Sequence, residues 1–584
     1  MTAGKGAASP VDPITVEIIR NGVIAVTEEM KTNLMRTAYN LIVYEALDFT
    51  VGLYTAEGET ISIGMGLPMF IHGMAETVKA KLRKFGREGI EPGDILVTND
   101  GYVTGSHLNH VTFTLPIFDG RELVAFACCM AHWPDIGGTL DGVTTDIYQE
   151  GLQLPILKYQ KAGVVNQDLV DIILMNVRIP GRAIGDLRAQ ITALKTGERR
   201  FLELIGRYGR DAVLGSIAEI MDESEIVARE LTHSIPDGVY VAESFMDDDG
   251  LDIGKPTPIR VKVEVKGDKM TIDLTDVSKQ VRGFYNSGTT TGIGLAQVAY
   301  KCLTSPTDYP INDGAFRALE VILPPGRVVS AVRPAPLRNW MSTPMTVIDT
   351  IFRALAPAIP ERAIAAHHAD LVIGVMHGMK DGVFFMNHFG PLGGGWGAKH
   401  NEDGVSATVC INDGDTHNSP SEQLEAKFPI LIHHYRLRQD SGGAGRHRGG
   451  LGVEMCVEAL TAMTINTRIE RSQCKPWGLE GGLAGEGNRV TLRVDGAWKE
   501  GPNAKLLMGR IRAGDAIMIR SGGGGGFGPP DERPLAAIED DVKQGYVSLE
   551  AAERDYGVVF DRSTMTIDRA ATEEKRRKPS EPSG

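Results

Sequence analysis

The 584-residue chain holds six cysteines, Cys128, Cys129, Cys302, Cys410, Cys456 and Cys474, and no Cys-x-x-Cys pair. That excludes a thiolate zinc knuckle and a redox dithiol, and leaves buried free thiols in a reducing compartment as the reading. No apolar run approaches the roughly 18–20 residues that a bilayer span requires. The opening MTAGKGAASPVDP has no apolar signal-peptide core, so a cytoplasmic location is expected. Positive charge is also short, with 61 Lys and Arg against 75 Asp and Glu and a net charge of −14. A nucleic-acid binder concentrates basic residues, whereas the one dense run here, Lys575-Arg576-Arg577-Lys578, falls in a polar tail. The HExxH, GxSxG and GxxxxGK[ST] motifs are missing, which removes the familiar zinc-protease, hydrolase-elbow and phosphate-loop assignments. Gly523, Gly525 and Gly528 have G-x-G-x-x-G spacing, but Pro529-Pro530 stands where a helix should open. A flexible glycine turn is the better reading there. Asp440-Ser441-Gly442-Gly443 is ordinary turn chemistry.

Glycine is abundant instead. The 69 glycines amount to about twelve per cent against an average near seven, and they fall in short clusters without a repeat period. The length implies about three or four domains. Residues 1–11 are expected to be a flexible leader. Asp12 then caps a helix with Pro13 at its first position, and Val16, Ile19, Val23, Val26, Met30 and Leu34 recur at helical spacing. Residues 12–235 are expected to form an α/β domain, followed by a mixed α/β domain over 236–388, where Ile259–Val265 alternates with period two. A glycine-rich β module over 389–530, a C-terminal helical segment over 531–570 and a disordered tail over 571–584 complete the expected order. The fold class is α+β and multidomain, with mixed or antiparallel sheets, packed helices and a β-rich C-terminal half.

The chemistry concentrates between Asn99 and Gly138. Two apolar runs, Val111–Phe118 and Leu123–Met130, flank the turn Asp119-Gly120-Arg121-Glu122 and predict a β-hairpin. His107 and His110 precede the first strand; His132 and Asp135 follow the second. Antiparallel pairing brings the start of one strand beside the end of the other, so these groups should meet on one rim. Three imidazoles, with Asp48 and Asp135 as candidate carboxylates, suit a divalent Zn, Mn or Fe ion without choosing among them. Such an ion can polarise a carbonyl and lower the pKa of bound water from about 15.7 to about 7. The pairs His367-His368 and His433-His434 are adjacent, and neighbours on a strand point to opposite faces, so structural roles are expected for them.

Ordered pieces of sequence then carry a resemblance. They include Asp12-Pro13-Ile14, Asp48-Phe49-Thr50, Pro92-Gly93-Asp94, Gly105-Ser106-His107, and Ala131-His132 with Asp135-Ile136-Gly137-Gly138. Asp186-Leu187-Arg188-Ala189-Gln190 and the Gly522–Gly526 run follow. Over roughly residues 12–560 the chain resembles the hydantoinase B/5-oxoprolinase family, which includes a subunit of ATP-dependent N-methylhydantoinases and related carboxylases. The resemblance implies a hetero-oligomer with a hydantoinase A-type subunit that binds ATP and Mg and phosphorylates the substrate oxygen. It also implies one divalent metal on this chain, held by Asp48, His107, His110 and His132, and hydrolytic opening of a hydantoin, 5-oxoproline or lactam ring. Asp135 would orient a ligand histidine, and Asp100 is a candidate for proton transfer. Hydrolytic members resemble His-x-x-Asp where this chain has His107-x-x-His110, and a histidine is usual where Trp133 stands. This departure keeps an acetone/acetophenone carboxylase-type reaction as the alternative.

Overall fold

The computed structural model describes residues 11–304 and 311–577. Residues 1–10 of the expected leader, and 578–584 of the expected tail with Lys578, lie outside the described residues. The first helix, Pro13–Thr37, begins where Asp12 accepts a hydrogen bond from the Thr15 amide at 3.1 Å, with proline at its first position. Its buried stripe is the one expected from the periodicity, Val16 through Leu34.

That stripe covers one face of a seven-stranded sheet. Its strands are β1 (Phe49–Thr55), β2 (Thr60–Gly64), β3 (Ile95–Thr98), β4 (His110–Asp119), β5 (Glu122–His132), β6 (Leu157–Lys161) and β7 (Val164–Val165), in the spatial order β2-β1-β5-β4-β3-β6-β7. Every pairing is antiparallel. The interior strand β5 is apolar without alternation because both of its faces are buried. Phe126, Cys128 and Met130 join Met74 and Val78 of the helix Phe70–Phe85 on one side. Ala127, Cys129 and Ala131 join Met30 and Leu194 on the other. Leu194 belongs to the helix Pro180–Tyr208, which approaches closely at Gly197, where a Cβ would lie 2.6 Å from the Met30 sulfur. One cation is buried against the sheet. Lys81 donates to the Thr112 carbonyl at 3.2 Å and the Thr114 hydroxyl at 2.8 Å, and burial pushes its pKa down to about 8.

Residues 236–388 do not keep a core to themselves. Val263, Ile272, Leu295 and Ile348 share one apolar cluster with Met74 and Met130 of the first sheet. Thr257–Lys266 alternates strictly, its inner residues Ile259, Val261, Val263 and Val265 being buried. The strand Val383–Phe389 runs across the boundary expected at 388/389 and pairs with Gly374–Lys380. That pair belongs to a four-stranded sheet, which with a five-stranded sheet makes the C-terminal half β-rich, and the whole is a mixed α+β architecture. The helix Arg569–Arg577 enters the segment expected to be tail, and Arg576 donates to the Tyr556 carbonyl at 3.1 Å.

The run Gly522–Gly526 is not a flexible turn. It is buried, and four successive amides donate outward to four different carbonyls: Gly523 to Glu486, Gly524 to Gly450, Gly525 to Ala366 and Gly526 to Leu483. Neighbouring backbone packs so tightly that a Cβ on Gly524 would lie 1.8 Å from the Trp396 carbonyl oxygen. Glycine is used here for close approach of main chains rather than for freedom. The thiols also divide: Cys128, Cys129, Cys410 and Cys456 are buried as expected, but Cys302 is exposed and Cys474 half-buried. Among the described residues, no helix is long and apolar enough to cross a membrane.

Candidate metal centre

The β4–β5 register places His110 directly opposite His132. Asp48 immediately precedes β1, whose Phe49 pairs with Ala131, and the His132 amide donates to the Asp48 carbonyl at 3.1 Å. His107 closes a turn into β4, its carbonyl accepting from the His110 amide at 3.2 Å. Gly105, at φ +88°, makes the preceding bend. The three imidazoles therefore converge, with ring centroids 4.2 Å (His107–His110), 5.1 Å (His107–His132) and 5.2 Å (His110–His132) apart.

One nitrogen or more from each ring has no alternative use. The Nε2 of His107 and the Nδ1 atoms of His110 and His132 are buried without a hydrogen-bond partner. Potential ligand atoms of the three residues lie within 4.8 Å of one another. Burial holds all three imidazoles well below the ordinary histidine range, so they are neutral near pH 7 and present lone pairs. Asp48 touches this set through His110, whose Nε2 stands 3.2 Å from Asp48 Oδ1. Burial raises the Asp48 pKa, opposed by His132. Unpartnered buried nitrogens are costly unless something binds them, and a borderline divalent cation matches this nitrogen-and-carboxylate donor set. The residues present fit such an ion.

The surroundings orient and cover the cluster. The Arg338 carbonyl lies 3.1 Å from His107 Nδ1 and so acts as its acceptor, fixing the tautomer that leaves Nε2 free. Trp340, itself buried, packs 5.6 Å from the His110 ring, and Phe70 meets the same ring edge-on at 4.5 Å. Trp133, following His132, is locked by donating its indole N–H to Gln190 Oε1 at 2.9 Å.

The two other candidates stand apart from this ligand set. Asp135 lines the adjoining cavity, but its carboxylate accepts from the Gly137 amide at 3.1 Å and from the Arg178 guanidinium at 2.7 Å, as well as from the Arg178 amide. The role of histidine acceptor expected for it is taken by the Arg338 carbonyl. Asp100 caps the short helix Gly101–Thr104, accepting from the Tyr102 amide, and pairs with Arg333 at 2.8 Å. It does not line the cavity. His367 is buried against Asp349 at 2.8 Å, while His433 and His434 pair with Glu458 and Glu454 on the strand Ile430–Leu437.

Sequence reasoning missed His388. It reaches the cluster from the strand Val383–Phe389, its ring 5.6 Å from that of His132, and burial pushes its pKa down to about 4. A lone histidine more than 250 residues downstream of His132 carried no local spacing to mark it. The cavity beside the centre has a volume of about 150 Å³. Ile373, Val375 and Met386 line one side, and Glu150, Arg338 and Arg468 are also in its wall.

Fold and site together define a multidomain α+β protein that gathers three histidines and an aspartate on the rim of a seven-stranded sheet. The family described as hydantoinase B/oxoprolinase matches residues 12–530, and the chain belongs to it. It is 33% identical over 582 residues to caprolactamase subunit beta of Pseudomonas jessenii, covering 96% of this chain and 98% of that one. The crystal structure of the ATP-dependent caprolactamase from Pseudomonas jessenii superposes with a TM-score of 0.91 at 30% identity, over 98% of this chain and 100% of the other. Nucleotide-free acetone carboxylase superposes with a TM-score of 0.90 over 97% of this chain and 82% of its own, but at 19% identity, a likeness of fold alone.

Proposed function

We propose that this chain is the metal-holding subunit of an ATP-dependent cyclic-amide hydrolase. It would open a hydantoin, 5-oxoproline or lactam ring together with a separate ATP-binding subunit of the hydantoinase A type. The observation that carries this reading is the set of three buried, unpartnered imidazole nitrogens beside a cavity that His107, His132 and Asp48 line. The full-length similarity to a subunit of an ATP-dependent caprolactamase supports the reaction class. His107, His110 and His132, with Asp48 beside them, would hold one Zn, Mn or Fe ion. When bound, a divalent ion supplies Lewis-acid polarisation of a carbonyl or phosphoryl oxygen and acidifies water.

The chain's own groups do the rest. Trp340 and Phe70 wall the cluster with apolar surface, which excludes bulk water and strengthens every charge interaction inside. The Arg338 carbonyl orients His107. Asp48, beside His110 Nε2 at 3.2 Å, would add the one negative charge to the ligand set and offset that of the ion.

The test is co-expression with a hydantoinase A-type subunit, metal analysis of the purified complex, and a panel of cyclic amides with ATP. Stoichiometric metal and ATP-dependent ring opening are the expected results. Fixation of bicarbonate into a ketone with no ring opening would replace the hydrolase reading by the carboxylase one. Full activity in a His107→Ala/His132→Ala variant would remove the metal centre from the chemistry.

A further inference from the structure

The cavity beside the histidines has an electrostatic imbalance in its wall. Three of its carboxylates are already engaged. Glu150 accepts from the Leu337 amide at 3.1 Å, the Arg338 amide at 2.9 Å and the Thr144 hydroxyl at 2.7 Å. Asp370 accepts from the Val372 amide, the Glu470 amide and the Ser342 hydroxyl, at 2.8–3.1 Å. Asp135 is bound to Arg178. Asp141, behind the wall, accepts from His377 at 2.8 Å and Asn466 at 2.7 Å.

The two guanidiniums in the same wall are not engaged in this way. Among the described residues, neither Arg338 nor Arg468 has a carboxylate oxygen within 4.0 Å, although 48 other ion pairs meet that distance. The Arg338 side chain donates no hydrogen bond to any described residue. Arg468 donates one, from Nη2 to the Leu140 carbonyl at 3.1 Å, and its Nε is buried without a partner. Burial, with the Arg338 charge second, pushes the Arg468 pKa down to about 10. Glu150 and Asp141 act on both groups only at longer range, and Arg178 adds a further positive charge near Arg338. A half-buried guanidinium that lines a cavity and keeps N–H groups without a protein partner is a fork for an oxyanion.

We propose that Arg338 and Arg468 form an oxyanion subsite beside the histidine centre, which takes a carboxylate or phosphoryl group carried by a small cyclic-amide substrate. This rests on the reading of the cavity as a cyclic-amide site. A volume near 150 Å³ is the size that admits one small ring, as in an engineered apolar cavity that binds benzene. Ile373, Val375 and Met386 would face the ring's methylenes while the arginines fix its charged end. The pair would thereby select which rings enter and how they lie against the histidines.

The test uses the purified full-length chain, with metal content measured in every sample, and calorimetric titration with three probes: inorganic phosphate, 5-oxoproline, and 2-pyrrolidinone, which has the ring without the carboxylate. Saturable binding of phosphate, of 5-oxoproline or of both is expected, with no comparable binding of 2-pyrrolidinone. Affinity should fall at least about tenfold in Arg338→Gln and in Arg468→Gln, and less in the lysine variants, which keep the charge but lose the fork. Phosphate binding alone identifies the phosphoryl group as the occupant, and 5-oxoproline binding alone identifies the carboxylate. Absence of anion binding by the wild type, or equal affinity in both glutamine variants, would overturn the proposal. Because the Arg338 side chain makes no hydrogen bond among the described residues, Arg338→Gln should keep the wild-type melting temperature, so the result does not hinge on a folding defect. Metal retained with arginine-independent anion binding sinks this inference alone; absence of metal, or of ring opening in the complex, sinks the reading beneath it.

Discussion

Replacing His132 by Leu while controlling the metal gives the most direct test of the histidine centre. In the metal-free state three imidazole nitrogens are buried without partners, one each on His107, His110 and His132. An unsatisfied buried polar group costs roughly 1–3 kcal/mol, so the empty cluster carries together roughly 3–9 kcal/mol of unmet desolvation. Leucine has a similar volume and no polar atom. The metal-free His132→Leu variant is therefore expected to be more stable than the metal-free wild type, by roughly 1–3 kcal/mol. In the loaded state the order should reverse, because a ligand bound only to the folded form adds about 4.1 kcal/mol at a thousandfold excess over its dissociation constant. Calorimetric melting of both proteins, with and without chelator and with metal content determined in parallel, reads the crossing directly. If chelation moves neither protein, or moves both alike, the cluster is not a metal centre and its nitrogens have partners of another kind.

Further outcomes follow from other features. Lys81 titrates near 8 in the folded chain against an ordinary 10.5, so between those pH values the unfolded state holds a proton that the folded state has lost. Stability should rise across that window by about 3 kcal/mol relative to Lys81→Met, and the difference between the two proteins in urea unfolding should be flat below pH 8. Gln190→Leu strands the Trp133 indole N–H and the Val111 carbonyl, both bonded at 2.9 Å, and should cost about 2–4 kcal/mol in the same assay. Gly524→Ala should abolish soluble expression, since its Cβ would fall 1.8 Å from the Trp396 carbonyl oxygen. Gly181→Ala meets no atom within 4 Å and should be neutral or stabilising by up to about 1 kcal/mol in thermal melts.

The parts legible in the sequence were those governed by local physics. The Asp12-Pro13 cap, the helical stripe from Val16 to Leu34 and the Asp119-Gly120 hairpin turn each depend on residues a few positions apart. The convergence of His107, His110 and His132 followed from antiparallel pairing alone. What stayed hidden was set by distant partners. His388 and Arg468 reach the site from strands and loops hundreds of residues downstream, and no spacing rule connects them to His132. Asp135 offered the right chemistry at the right place, yet Arg178 claimed it. The Gly522–Gly526 run was misread because glycine signals either freedom or close contact, and only the surrounding carbonyls decide which.

The division of the site along the chain has a consequence for the order of its assembly on the ribosome. All four groups of the proposed metal set are present once residue 132 has emerged, whereas the cavity wall is complete only after Arg468. At synthesis rates of roughly 5–20 residues per second, the interval between the two is on the order of tens of seconds. The ligand groups are thus synthesised first, but the sheet that pairs them gains its covering from Leu194 on one face and from Val263, Ile272, Leu295 and Ile348 on the other. The metal set and the cavity that serves it are therefore tied to the same late docking of the downstream chain.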